Sequence, residues 1–102
     1  MKIGERVQVM AKAIIQSGSE VGGNTIINTR TSIDHDCRIG HHIYLASGVI
    51  LCGNLCIEEL GHVGTGATTL QSVRVGAQVL VNAGTLIKSD IEGTPRDKGK
   101  IT

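Results

Sequence analysis

A repeat of six residues limits the fold of this chain more than any other feature of the sequence. From Ile3 to Ile87, every sixth residue is Ile, Val or Leu at fourteen of fifteen positions, with Thr69 as the exception. The residue four places after each of these anchors, from Val7 to Ile91, never carries a charge. Neither an α-helix nor a simple alternating strand keeps a six-residue phase over such a length, whereas a parallel β-helix built from hexapeptides does. The repeat therefore predicts an all-β parallel β-helix.

A second, longer period gives the size of one coil. Glycine follows the anchor at positions 4, 22, 40, 64 and 76, and four of these five are separated by three hexapeptides or a multiple of three. Three hexapeptides make one coil of a three-sided prism, and about five coils fit the chain. We expect the glycines to mark turns whose backbone angles only glycine adopts without strain. The β-helix domain is predicted to span residues 1–92, with residues 93–102 as a C-terminal tail.

Composition narrows the classes of partner. A chain of 102 residues with no Phe or Trp and one Tyr has material for a single small domain with a thin core. Its formal net charge of +1 indicates neither nucleic acid nor an anionic membrane as a partner. No apolar run is long enough for a signal or membrane helix, so we expect a cytoplasmic protein.

Three cysteines, an odd number, suit free thiols in a reducing compartment.

The outward positions predict an assembly of several copies. Two of the three outward columns carry aliphatic residues and the third is charged: Gln8, Ile26, Tyr44, His62 and Leu80; Ile14, Ser32, Ile50, Thr68 and Leu86; and Glu20, Arg38, Cys56, Arg74 and Glu92. A head-to-tail homotrimer would cover both aliphatic columns, since each subunit then uses two different patches. Scattered surface aliphatics are the alternative.

The corner between the two aliphatic columns has only small outward residues. They are Ala11, Thr29, Ser47, Thr65 and Ala83, and Gly48, Gly66 and Gly84 follow the last three. Such a stripe admits a partner subunit or an extended ligand close to the backbone, and turn geometry explains the glycines equally well.

The stretch "IDHDCRIGHHIYLASGVILCGNLC", residues 33–56, holds three of the four histidines and all three cysteines. A zinc site is one interpretation, but the frame places His41 and His42 at a different corner from His35 and Cys52, so no four ligands converge. An acyl-cysteine at Cys52 is a second interpretation, although no neighbouring positive group is evident to activate the thiol. Proton transfer by a histidine side chain is the third interpretation.

Within this frame, the sequence resembles the left-handed β-helix acyltransferases, and most of all the sialic acid O-acetyltransferase and UDP-amino-sugar N-acetyltransferase family. The resemblance covers residues 3–92 and is carried by "IINT" at 26–29, "DHDC" at 34–37 and "GVILCGN" at 48–54. It implies a left-handed β-helix and a trimer with its active site between subunits. It also implies acetyl-coenzyme A as co-substrate and transfer of the acetyl group to an amine or hydroxyl of a sugar-type acceptor.

The same resemblance implies roles for particular residues. His35 would be the general base, and Asp36, with Asp34 on the other side, would orient and stabilise its imidazole. Gly53, at the matching position three hexapeptides after His35, would stack one coil away and offer its N–H to the thioester oxygen. The coenzyme would lie along the small-residue corner, against Gly53, Gly66, Gly84, Thr65 and Ala83.

Two other function classes remain open at this point. One is a non-catalytic trimeric scaffold, and the other is a metal-binding β-helix of the carbonic anhydrase-like kind, which three convergent histidines between subunits would favour. Because Met1 leads directly into the first coil, we also expect the nucleotide-sugar domain that usually precedes this kind of prism to be missing, which leaves the acceptor unidentified.

Overall fold

The computed structural model describes residues 1–93, in which fifteen two-residue strands follow one another at intervals of six residues. They are β1 Lys2–Ile3, β2 Gln8–Val9, β3 Ile14–Ile15, β4 Glu20–Val21, β5 Ile26–Ile27, β6 Ser32–Ile33, β7 Arg38–Ile39, β8 Tyr44–Leu45, β9 Ile50–Leu51, β10 Cys56–Ile57, β11 His62–Val63, β12 Thr68–Thr69, β13 Arg74–Val75, β14 Leu80–Val81 and β15 Leu86–Ile87. No helix of residues 1–93 is long and apolar enough to cross a membrane.

The strands form three parallel sheets of five, and every third strand belongs to the same sheet. Sheet one has the order β1-β4-β7-β10-β13, sheet two β2-β5-β8-β11-β14 and sheet three β3-β6-β9-β12-β15. The register is one coil of three hexapeptides throughout these sheets, as in the pairing of Glu20 with Arg38 and of Ile26 with Tyr44. The predicted all-β parallel β-helix of about five coils is confirmed.

Three corners join the sheets, and we name each by the first residue of its turns. Corner A, between sheets one and two, contains Glu5, Gly23, His41, Glu59 and Ala77; corner B, between sheets two and three, contains Ala11, Thr29, Ser47, Thr65 and Ala83; corner C, between sheets three and one, contains Ser17, His35, Gly53 and Gln71.

The hexapeptide anchors fill the prism. Ile27, Ile33 and Leu45 are wholly buried. The exceptional anchor Thr69 is buried too, and its Oγ1 accepts the N–H of Cys52 at 3.2 Å, so its polar atom is satisfied. Only the first coil departs from the pattern. Ile3 and Val9 are 45% and 46% exposed because a single neighbouring coil covers them.

The glycine column has a different cause from the one expected. Gly4, Gly22, Gly40, Gly64 and Gly76 do not have positive φ, so the prediction of special turn angles there was wrong. A Cβ on Gly22 would instead lie 2.7 Å from the backbone of Gly40 and His41. These positions lack side chains because the backbone of the next coil passes directly over them.

The last coil departs from this register. Val75 pairs with Ile91, which comes before the position one full coil away, and the Arg74 N–H donates to Asp90 Oδ1 at 2.9 Å. Glu92 therefore does not extend the outward column above Arg74. Apart from Gly93, the predicted tail lies outside the described residues.

Candidate active site

Corner C places His35 in a tight turn between β6 and β7. The Asp34 Oδ1 accepts the N–H of His35 at 2.7 Å, and Asp36 takes a left-handed φ of 58°, which Asp tolerates better than most residues. The turn projects the imidazole outward, where the side chain is 44% exposed. The sequence "DHD", residues 34–36, therefore forms the turn and also supplies the candidate base.

The imidazole of His35 is held at one nitrogen by its neighbour. Its Nδ1 lies 3.2 Å from Asp36 Oδ2, within a carboxylate that is itself 61% exposed. We assign Nδ1 as the protonated nitrogen, since a carboxylate only accepts hydrogen bonds. That tautomer leaves the lone pair of Nε2 available to accept a proton from a ligand.

Gly53 lies directly against this free nitrogen. A Cβ built on Gly53 would be 2.7 Å from His35 Nε2 and 2.8 Å from Cε1. The turns are tied together by the Asn54 N–H, which donates to the His35 carbonyl at 3.1 Å. The N–H of Gly53 itself has no hydrogen-bond acceptor among residues 1–93. A base and an unpaired backbone donor thus lie side by side.

Two further residues support this arrangement and were not predicted. Gly18 lies one coil before Asp36, and any side chain there would overlap the Asp36 carboxylate. The Ser19 Oγ donates to the Asp34 carbonyl at 2.8 Å and accepts the Cys37 N–H at 3.1 Å. The same one-coil spacing that points from His35 to Gly53 would have found both.

The cysteines next to the site do not form a nucleophile–base pair. Cys37 is buried and its Sγ donates to the Cys52 carbonyl at 3.3 Å, and burial raises the pKa of its thiol. The Cys52 thiol makes no hydrogen bond to His35 in the described part of the chain. All three cysteines are free thiols.

The other histidines lie elsewhere. His41 is on corner A, where its Nδ1 accepts the Gly23 N–H at 2.8 Å, so the backbone of the preceding coil occupies that nitrogen. His62 stacks on Tyr44 on sheet two, with ring centroids 4.8 Å apart. Within residues 1–93, no group of three His, Cys, Asp or Glu side chains could hold a metal ion.

Corner B forms a shallow groove of about 470 Å³. A Cβ on Gly48, Gly66 or Gly84 would meet nothing within 4 Å, although each has φ between 70° and 73°. Lys12 and Arg30 adopt φ of 62° in the same column. The backbone conformation therefore does not require glycine at positions 48, 66 and 84. The space next to these three glycines is open.

The residues predicted to hold the coenzyme do not all meet within one subunit. Thr65, Gly66, Ala83 and Gly84 are on corner B, but Gly53 is on corner C, and sheet three lies between the two corners. A wider groove of about 600 Å³ follows sheet one and corner A past Gly22, Gly40 and His41, and it does not reach His35.

Comparison with known proteins finds acyltransferases that are similar to this chain. No family model matches it. It is 31% identical over 98 residues to the acyl-[acyl-carrier-protein]–UDP-N-acetylglucosamine O-acyltransferase of Agrobacterium fabrum, in an alignment that covers 89% of this chain and 36% of the relative. The chain thus spans about a third of the length of such relatives.

Two solved structures share the fold closely. The acetyltransferase domain of PglB from Neisseria gonorrhoeae in complex with acetyl coenzyme A is 39% identical with a TM-score of 0.87, covering 89% of this chain and 44% of that one. PerB from Caulobacter crescentus in complex with CoA and GDP-perosamine is 35% identical with a TM-score of 0.90, covering 91% and 45%. The described β-helix is similar to the corresponding part of these two structures.

Proposed function

We propose that the protein is an acetyltransferase that moves the acetyl group of acetyl-coenzyme A to an amine or hydroxyl of a sugar-type acceptor. The observation that carries the proposal is the contact of the His35 imidazole, held at Nδ1 by Asp36, with Gly53, whose N–H is unpaired within residues 1–93. The relatives' names and ligands support it, since PglB was solved with acetyl coenzyme A and PerB with CoA and GDP-perosamine.

The chemistry follows from these three residues. Nε2 of His35 removes the proton from the attacking amine or hydroxyl as that atom bonds to the thioester carbonyl carbon. The carbonyl oxygen becomes an oxyanion, which the Gly53 N–H stabilises. Collapse of the tetrahedral intermediate breaks the carbon–sulfur bond, and the imidazolium returns its proton to the departing thiolate. Asp36 stabilises the imidazolium between these two transfers.

The coenzyme site is proposed to lie between two subunits. Corner C of one subunit supplies Gly53, while corner B of the next supplies Thr65, Gly66, Ala83 and Gly84. Within a subunit the two corners are one hexapeptide apart, an extended span of up to about 20 Å, so a neighbouring copy brings them together more directly than one chain does. The bare backbone of corner B suits a ligand that approaches closely.

The exposed aliphatic residues support a homotrimer as the assembly. On sheet three Ile14, Ile50 and Leu86 are 54%, 46% and 50% exposed, and on sheet two Leu80 is 68% exposed. These residues flank corner B on both sides, as a head-to-tail interface requires. We further propose residues 1–92 as the β-helix domain, a cytoplasmic location, and no nucleic-acid or membrane partner.

The test measures acceptor-dependent release of the coenzyme thiol with a panel of amino and hydroxyl sugars, free and nucleotide-linked. The proposal expects turnover with at least one acceptor and an increase in thermal stability on adding acetyl-coenzyme A. Light scattering after size exclusion checks the assembly, and replacing Ile50 by Asp should reduce the trimer and the activity together. A fully active monomer would contradict the intersubunit site.

A further inference from the structure

The backbone at Cys52 is held from two sides by side chains inside the prism. On the preceding coil, the Cys37 Sγ donates to the Cys52 carbonyl at 3.3 Å. On the following coil, the Thr69 Oγ1 accepts the Cys52 N–H at 3.2 Å. Cys37 and Thr69 are both buried. Two hydrogen bonds from the core therefore fix the residue that comes directly before Gly53.

The carbonyl that Cys37 contacts belongs to the same peptide unit as the Gly53 N–H. This unit is planar and trans, so its carbonyl and its N–H point in opposite directions. A hydrogen bond to the carbonyl thus sets the direction of the N–H. It also polarises the amide, which makes the N–H a stronger donor. The Cys37 thiol therefore acts on an N–H that has no acceptor among residues 1–93.

The contact of Cys37 is one of a series, but its location is different. Ser19 and Thr25 occupy corresponding inward positions and donate to carbonyls of the following coil at 2.8 Å and 3.0 Å. The Cys37 Sγ also lies 3.8 Å from the His35 carbonyl, but its one proton goes to the nearer carbonyl of Cys52. The peptide that Cys37 holds ends at Gly53, which lies against the free nitrogen of His35.

Two departures from the aliphatic repeat meet at this peptide. Thr69 is the one anchor from Ile3 to Ile87 that is not Ile, Val or Leu. An aliphatic anchor would fill the same space but would leave the Cys52 N–H without this acceptor. Cys37 takes an inward position that Val73 occupies at the same corner, and Val73 is buried as well. Packing alone would therefore be satisfied by valine at both positions.

We infer that Cys37 and Thr69 are positioning residues for the transfer, because they hold the Cys52–Gly53 peptide so that its N–H faces the oxyanion. This inference rests on the proposed function and assigns to it two residues that touch neither the acceptor nor the coenzyme. An interaction that strengthens only as the oxyanion forms raises kcat without changing the KM. Loss of either contact should therefore lower kcat and leave the KM for acetyl-coenzyme A unchanged.

The experiment compares Cys37→Val and Thr69→Val with wild type. Valine fills the buried space but cannot make the hydrogen bond, and urea unfolding checks that both variants fold. Each variant should lower kcat roughly three- to tenfold, the loss expected for one neutral hydrogen bond. Cys37→Ser supplies a donor again and should restore the wild-type kcat.

Thr25→Val is the matched control. Thr25 is buried and makes the same kind of hydrogen bond, to the Gly40 carbonyl beside corner A, where no residue of the candidate active site lies. This variant should lose some stability and keep the wild-type kcat. An equal fall in kcat in Thr25→Val would overturn the inference, because it would show that any buried hydrogen bond of the prism has this effect.

Two further results would overturn the inference: a higher KM for acetyl-coenzyme A with unchanged kcat in the valine variants, or failure of Cys37→Ser to restore the rate. The chemical shift of the Gly53 amide proton in isotope-labelled protein separates this inference from the proposed function. A shift that changes in Cys37→Val and Thr69→Val, in a protein without acetyl transfer, would keep the control of the peptide and reject the activity. Wild-type kcat in both variants would keep the activity and reject the positioning residues.

Discussion

The imidazole of His35 lies over the α-carbon of Gly53 on the following coil, so close that a methyl group there would be 2.7 Å from Nε2. The register of the sheets alone brings these two residues together, because they are corresponding positions in adjacent coils. Position 53 therefore favours glycine for a reason other than φ. The His35 imidazole occupies the space that a side chain at position 53 would need.

Gly53→Ala should reduce acetyl transfer by about 10²-fold, because the methyl group displaces the imidazole from the Gly53 N–H and misaligns base and oxyanion donor. The measurement is kcat at saturating acetyl-coenzyme A. Asn54→Ala, in the same turn and exposed, is the control and should stay near wild type. Full activity of Gly53→Ala would show that the contact with His35 does not matter.

Asp36→Asn should lower kcat about tenfold, less than loss of the histidine, because the amide still accepts the Nδ1 proton but no longer carries the charge that stabilises the imidazolium. The KM for acetyl-coenzyme A should not change, since Asp36 is assigned no contact with the coenzyme. A rise in that KM with unchanged kcat would place Asp36 in the coenzyme site instead.

Gly66→Gln should raise the Kd for acetyl-coenzyme A at least tenfold and leave the trimer intact, because the new side chain fills the open groove of corner B from outside. Gln78 has φ of 59°, so this residue type is compatible with the backbone conformation. Leu60→Gln, at a left-handed position on corner A, is the matched control. Calorimetry that finds equal affinity in all three proteins would place the coenzyme elsewhere.

Cys37 should make the fold sensitive to alkaline pH. Burial raises the pKa of its thiol above the ordinary value of 9.0, so the folded chain retains a proton that the unfolded chain releases. The contribution to stability is complete below pH 9.0 and is lost as pH rises toward the folded pKa.

Urea unfolding of wild type and Cys37→Ser at pH 7 to 10.5 isolates this contribution. Serine does not ionise in this range, and Ser19 occupies the corresponding position one coil earlier. The free energy of unfolding of wild type should fall relative to the variant above pH 9.0. Parallel pH dependence of the two proteins would exclude the thiol as its source.

The fold could be predicted in detail because each hexapeptide repeats the same constraint. Val21, Ile39 and Ile57 are anchors of the repeat, and all three are buried as expected. The contact between His35 and Gly53 followed from the same register. In a parallel β-helix the sequence period directly gives the residues that pair between strands. In most folds the sequence distance between paired strands follows no repeat.

The repeat could not give the physical cause of a periodic residue, nor a contact that breaks the period. The glycines such as Gly22 were assigned to turn angles, although the backbone of the next coil is their cause, because both explanations predict glycine with the same period. The pairing of Val75 with Ile91 breaks the period, so no periodic argument could find it.

The most direct test is acceptor-dependent thiol release by wild type and His35→Ala, with acetyl-coenzyme A binding measured on both. The account predicts a loss of turnover of about 10² to 10⁴-fold with unchanged coenzyme affinity, because the base acts on the proton of the acceptor and backbone groups hold the coenzyme. If wild type turns over an acceptor and His35→Ala matches its rate, His35 is not the base, and Cys52 becomes the residue to replace next.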